Sequence, residues 1–266
     1  MSVGADTAAL GPLAALLADP ATTALLTDFD GTLSPIVDDP DEARPLPTAP
    51  GVLARLSRHF AVVAVVSGRP VTFLAAHLAG AGPAVRLYGV YGLEWMAGDR
   101  VQVAPEAEAW LARAAEVVAA ARVEAPPGVG VEPKGAALAI HWRRAPDAGA
   151  WAEAFGERWA GRSGLVLQPG RRALELRPPL DIDKGRVVER VAAGSSAALF
   201  AGDDAGDLPA FAALDRLAAS GMTVVKMAVA DDESPASLVA AADVVVAGPA
   251  EALDLLGRLA AAAGRG

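Results

Sequence analysis

The sequence predicts an α/β protein: a doubly wound, parallel-sheet core carrying an inserted αββαββ domain. Three observations predict it. Short apolar runs at 23–27, 61–66, 85–88, 197–201, 222–229 and 243–246 are bounded by turn residues and lack strict alternation, the pattern of strands buried on both faces of a parallel sheet. Helical stretches at 50–58, 70–78, 184–193, 208–214 and 249–261 separate them. Strands alternating with helices give parallel neighbours joined by right-handed crossovers, a Rossmann-like arrangement. The third observation is a change of texture between about residues 102 and 180.

In that stretch Trp110, Ala114, Val117, Val118 and Ala121 share one helical face, and Trp151, Phe155 and Trp159 recur every fourth residue. Each helix is followed by two short runs, 129–132 with 136–143 and 165–168 with 171–177, turning at Pro133-Lys134-Gly135 and Pro169-Gly170. The second run of each pair alternates. Leu138, Ile140 and Trp142 oppose His141 and Arg143, while Leu174 and Leu176 oppose Glu175 and Arg177. The expected division is therefore core at 1–101, cap at 102–180 and core again at 181–266.

Composition narrows the function classes. The 266 residues are 53% hydrophobic, enough for a substantial core, and the formal net charge is −9. A nucleic-acid partner would need excess Lys and Arg over a phosphate backbone, so none is expected. With no Cys there are no disulfides and no thiolate chemistry, and only His59, His77 and His141 offer imidazole. The catalytic chemistry is expected to run on carboxylates. The longest strongly apolar run, 61–66, is far short of the roughly 20 residues a membrane span needs, and residues 1–20 lack a basic leader. A soluble, cytoplasmic protein with no membrane partner is expected.

Four elements sit at the ends of the apolar runs or open a helix. Asp28-Phe29-Asp30-Gly31-Thr32 follows the first strand, where open α/β sheets place their ligands. Asp28 is placed to act as a nucleophile and Asp30 to reach a leaving group, and Gly31 lets backbone N–H groups approach a phosphoryl oxygen. Ser67-Gly68-Arg69 follows the second strand just before a Pro-initiated helix, a setting that suits a phosphate. Asp183-Lys184-Gly185 opens a helix with a cation in its first turn, against the helix dipole. An anionic ligand beside acidic side chains accounts for that cation. Gly202-Asp203-Asp204-Ala205-Gly206-Asp207 brings three carboxylates within five residues. Such groups repel one another unless a hard cation sits among them, and Mg²⁺ is the expected one.

Together these elements resemble the haloacid dehalogenase superfamily of aspartate-nucleophile phosphotransferases. Further segments resemble its trehalose-6-phosphate phosphatase family: Ser34-Pro35-Ile36, Tyr91-Gly92-Leu93-Glu94, Glu132-Pro133-Lys134-Gly135, His141-Trp142-Arg143 and Leu174-Glu175-Leu176-Arg177-Pro178. The chain departs from the family's pattern at Tyr91, where His is frequent, and at Leu208, where Glu is frequent. The resemblance implies hydrolysis of trehalose 6-phosphate to trehalose and phosphate through an aspartyl-phosphate on Asp28, with Asp30 as acid and base. It implies Mg²⁺ held by Asp28, the Asp30 carbonyl and Asp203, with Asp204 or Asp207 nearby. Lys184 and Ser67 would cradle the phosphoryl group, with Thr32, Gly68 and Arg69 beside the substrate.

Recognition of the sugar is expected from Glu132, Lys134, His141, Arg143 and Glu175 on the polar face of the cap, since charged groups suit the hydroxyls of a disaccharide. Two other readings stay open: a different sugar-phosphate phosphatase or phosphosugar mutase, and a non-catalytic partner of a trehalose-6-phosphate synthase. Asp28, Asp30, Lys184 and Asp203 are all present, which favours catalysis. A functional link to such a synthase is expected in either case.

Overall fold

The computed structural model describes residues 9–37, 42–170, 172–231 and 234–265. The first apolar run is β1 (Thr23–Thr27), in which every residue is buried. It is followed by α1 (Ala49–Leu56), β2 (Val62–Val66), α2 (Val71–His77), β3 (Val85–Gly89), β4 (Glu94–Ala97) and β5 (Arg100–Val103). A second set follows: α3 (Pro105–Glu124), β6 (Gly130–Lys134), β7 (Ala137–His141), α4 (Gly149–Ser163), β8 (Val166–Gly170) and β9 (Ala173–Arg177). The chain then returns to the first pattern with α5 (Lys184–Ala192), β10 (Ala197–Gly202), α6 (Leu208–Ala219), β11 (Thr223–Ala230), α7 (Ala236–Ala241), β12 (Val244–Ala247) and α8 (Gly248–Ala263). The polypeptide forms two compact units: one ends at Val101 and resumes at Ile182, and the other is Gln102–Asp181.

The sheet of the first unit runs β12-β11-β10-β1-β2-β3-β4-β5, with β1, β2, β3, β10, β11 and β12 parallel. Successive residues of β1 point to opposite faces, and both faces are covered. Leu25 joins Val63, Leu199 and the helices α1 and α8 on one side, while Leu26 joins Ala64, Phe200 and Phe211 on the other. That double burial is why the central strands are apolar throughout. Register matters more for function. Thr27 aligns with Ala201 of β10 and with Val65 of β2, so the loops after these three strands leave the sheet at one edge.

The second unit is the αββαββ arrangement, its four strands antiparallel in the order β6-β7-β9-β8. Leu138, Ile140, Leu174 and Leu176 point into a core with Ala114, Val117, Val118, Ala121 and Phe155. Trp110, Trp142, Trp151 and Trp159 pack against that core. Gly135, at φ +61°, and Ala136 make the two-residue turn between β6 and β7.

Some elements differ from the sequence reading. The run 243–246 is not buried on both faces: β12 is an edge strand, and Val245 is 49% exposed. Pro133 and Lys134 belong to β6 and not to the turn, because Lys134 pairs with Ala137. β7 stops at His141, so Arg143 lies in the following turn, where the Trp142 N–H reaches the Arg172 carbonyl instead of a neighbouring strand. β4, β5 and α7 have no counterpart in the sequence reading, since short half-exposed elements carry too few apolar positions to show a period. Arg171, placed in a strand from the sequence, lies outside the described residues. Among the described residues no helix is long and apolar enough to cross a membrane.

Candidate active site

The aligned strand ends place Asp28, Ser67 and Asp203 on three adjacent loops. The Asp28 N–H continues the ladder by donating to the Ala201 carbonyl at 2.8 Å, which fixes the start of the first loop. Gly31 then turns the loop at φ +70° and brings it directly under Asp203. A Cβ at residue 31 would lie 1.9 Å from Asp203 Oδ2, so the backbone approach needs glycine for space as well as for conformation.

Lys184 enters from the start of α5 and is 3% exposed. Its Nζ lies 2.8 Å from Asp28 Oδ2 and 2.7 Å from Asp207 Oδ1. Asp207 is wholly buried, and its other oxygen accepts the N–H groups of Asp203 (2.9 Å) and Asp204 (3.2 Å). Both Asp207 oxygens are thereby engaged. Its place is to orient Lys184 and to shape the acidic loop. Asp204 is exposed and accepts the Gly206 N–H at 2.8 Å, forming a reciprocal cap with Asp207.

One oxygen from each of Asp28, Asp203, Asp204 and Asp207 falls within 4.8 Å of the others. Four carboxylates face a single ammonium, so the cluster carries excess negative charge in a buried place. Burial, then the charges of Asp28, Asp207 and Asp204, push the Asp203 carboxyl up to about 9. Burial also pushes Asp28 well up, and Lys184 pulls it back. Burial alone would lower the Lys184 ammonium, but Asp207, Asp28 and Asp204 hold it well above its usual range. Asp28 Oδ1 and Asp203 Oδ1 are buried without any hydrogen-bond partner. Two orphaned carboxyl oxygens, one from each loop, fit a hard divalent cation bound by oxygen in place of a proton.

Asp30 is not part of this cluster. Its two oxygens accept from the Arg69 guanidinium, Nε to Oδ2 and Nη2 to Oδ1, each at 2.8 Å. Ser67 is 1% exposed, and its Oγ accepts the Arg69 N–H at 3.2 Å. Gly68 lies against the Tyr91 ring, which a Cβ at 68 would meet at 2.8 Å. Thr32 is fully buried and its Oγ1 has no hydrogen-bond partner.

Within the second unit, the face opposite its core gathers four of the five residues named for sugar recognition. Lys134 Nζ lies 2.5 Å from Glu175 Oε1 and 3.7 Å from Glu132 Oε2, and His141 Nε2 lies 3.0 Å from Glu132 Oε2. The pairings of Glu132 with Ala139 and of Ala139 with Glu175 set these side chains in a row across three strands. Arg143 stands past the strand end.

Sequence reasoning left three residues around the site without a role. The Glu94 carboxylate, 8% exposed, accepts the Val71 N–H at 2.6 Å and so ties β4 to the end of the Ser67–Pro70 loop; burial raises it. Tyr91 sits at φ +58° and Val90 at φ +47°, a conformation that is costly for a β-branched residue. The only sequence signal was the Tyr91-Gly92-Leu93-Glu94 segment itself, a carboxylate set among apolar residues.

A sequence model of the trehalose-phosphatase family matches residues 26–244. A trehalose-phosphate phosphatase from Mycobacterium leprae is 35% identical over 217 residues, which are 76% of this chain and 50% of the relative. One from Mycobacterium marinum is 34% identical over 249 residues, 89% of this chain and 61% of the relative. The chain thus spans about half the length of the first mycobacterial relatives it matches. The C-terminal domain of trehalose-6-phosphate phosphatase from C. albicans superposes with a TM-score of 0.73 at 23% identity, covering 96% of this chain and 97% of that one. At that identity the likeness is one of fold.

Proposed function

Because the chain belongs to the trehalose-phosphatase family, we propose that it hydrolyses trehalose 6-phosphate to trehalose and phosphate, with a Mg²⁺ ion in the acidic cluster. The observation that carries this reading is Asp28 itself. One of its oxygens is anchored on Lys184 and the other is buried without a partner, so a carboxylate is held in one orientation with a lone pair to spend.

Asp28 and Asp203 would hold the cation, with Asp204 and the Asp30 carbonyl beside it. When bound, the ion offsets the excess charge of the cluster and polarises the phosphoryl oxygens. Asp28 forms a bond to phosphorus as the bond from phosphorus to the sugar oxygen breaks. The electron pair stays on that oxygen, which takes a proton from Asp30. Water then attacks the phosphorus of the aspartyl-phosphate, gives a proton to Asp30 and releases phosphate. The electron pair of the broken bond returns to Asp28. Lys184 keeps Asp28 in line and adds positive charge where the transferred group carries its negative charge. Ser67, with Thr32 and Gly68 nearby, would line the phosphoryl site.

Glu132, Lys134, His141 and Glu175, with Arg143 following, would bind sugar hydroxyls. A preformed set of partly buried polar and charged groups favours a ligand that satisfies it over one that lacks the matching hydroxyls. A trehalose-6-phosphate synthase would supply the substrate, and since a charged sugar does not cross membranes unaided, both steps would share one compartment, which we take to be the cytoplasm.

The test is phosphate release from a panel of sugar phosphates, with Mg²⁺ and with a chelator. Trehalose 6-phosphate should be the preferred substrate, and release should stop in chelator. Comparable turnover of many monosaccharide phosphates would overturn the specificity. Wild-type activity in Asp28→Asn would overturn the covalent route.

A further inference from the structure

Five carboxylates lie on the two acidic loops, yet only four converge. The fifth, Asp30, is withheld from the cluster by both arms of Arg69. We infer that Arg69 is the positioning residue for Asp30, docking its carboxyl group in the orientation that the second half of the reaction requires. This rests on the phosphatase reading above and adds a role to a residue which that reading leaves beside the substrate.

The geometry of Arg69 is itself firmly set. Its N–H is on Ser67 Oγ and its carbonyl accepts the Val90 N–H at 2.9 Å. Two residues on, the Val71 N–H is taken by the Glu94 carboxylate at 2.6 Å. The guanidinium carbon lies 4.8 Å from the centre of the Phe73 ring, and that ring meets Phe29 edge-on at 5.6 Å. Phe29 stands between the two aspartates of the first loop and is wholly buried. Arg69 is thus braced from the β3–β4 segment on one side and through Phe73 on the other. A planar fork carried on such a brace fixes both the position and the plane of a carboxylate, which a lysine ammonium at the same place would not.

The chemistry that depends on this plane is the removal of a proton from water. In the hydrolytic half-reaction the water oxygen bonds to phosphorus, its proton passes to an Asp30 oxygen, and the bond from phosphorus to Asp28 breaks. A carboxylate docked by Arg69 is oriented for that transfer. A carboxylate released from the fork could rotate away, or join the cation-binding cluster. Expulsion of p-nitrophenolate, a leaving group that needs no proton, should not depend on Asp30 at all.

The experiment is pre-steady-state hydrolysis of p-nitrophenyl phosphate with Mg²⁺ by the unaltered chain, Arg69→Ala, Arg69→Lys, Asp30→Asn and the double variant Arg69→Ala with Asp30→Asn. In Arg69→Ala the nitrophenolate burst should keep its rate within about twofold. Steady turnover should fall by about 100-fold, the scale of a misplaced general base. Arg69→Lys, which keeps charge but not the fork, should be intermediate. The double variant should be no slower than Asp30→Asn, because residues acting as one unit are not additive. Loss of the burst together with turnover in both Arg69 variants would overturn the inference, as would a raised KM with kcat unchanged. Phosphate release by none of the chains, from any ester, would instead overturn the phosphatase reading and this inference with it.

Discussion

Lys184 Nζ and Asp28 Oδ2 stand 2.8 Å apart, both almost without solvent, and the same ammonium is shared with Asp207 at 2.7 Å. One cation therefore holds a loop after β1 to a loop after β10. This contact secures the fold, and in the proposed reaction the same pair would aim the nucleophile.

Removing Lys184 should accordingly cost both properties. In Lys184→Met two buried carboxylates lose the ammonium they share. Breaking a buried pair in this way destabilises by about 3–5 kcal/mol. Urea denaturation should show that loss in chelator, and phosphate release should be abolished with Mg²⁺ present. A variant of unchanged stability would show that the two carboxylates find another partner.

The raised Asp203 carboxyl gives a pH dependence with a definite sign. Its folded value is about 9 against an ordinary 3.8, so between about pH 4 and 9 the folded chain binds a proton that the unfolded chain does not. Stability of the cation-free protein should therefore fall as pH rises through that window, by at most about 1.4 kcal/mol per unit for that proton. Millimolar Mg²⁺ should flatten the slope by taking the place of the proton. Urea midpoints at several pH values, with chelator and with Mg²⁺, test this; a flat profile in chelator would show that Asp203 is ionised throughout.

Gly31→Ala probes the close approach beneath Asp203. The new Cβ meets that carboxylate while the backbone remains at φ +70°, a strain of about 1–3 kcal/mol. Thermal melts should show a lower midpoint and, more tellingly, little added stability from Mg²⁺. A full Mg²⁺ shift in this variant would place the cation away from Asp203.

In the second unit, Glu175→Ala removes the 2.5 Å partner of Lys134. A hydrogen bond to a charged group contributes about 1.5–3 kcal/mol, so KM for trehalose 6-phosphate should rise by about 10–100-fold. Hydrolysis of p-nitrophenyl phosphate should change little. Equal losses on both substrates would make Glu175 part of the scaffold.

Much of this protein was legible in the sequence by itself. The apolar runs without alternation gave away a doubly covered parallel sheet, and the alternating runs of Leu138–Ile140 and Leu174–Leu176 marked an antiparallel one. Acidic loops at strand ends marked where carboxyl groups gather. These are local signals, carried by residue periods and turn residues a few positions apart. Only the tertiary structure decided which partner each acid meets. Asp28, Asp30, Asp203, Asp204 and Asp207 are the same residue type in two short loops, and their sequence positions do not say which side chain or amide each one reaches. Strand register and helix placement gave Asp207 both its amides and Lys184, left Asp28 and Asp203 with orphaned oxygens, and handed Asp30 to Arg69. A side chain's role here is set by the partner that packing brings to it, and that partner lies far away along the chain.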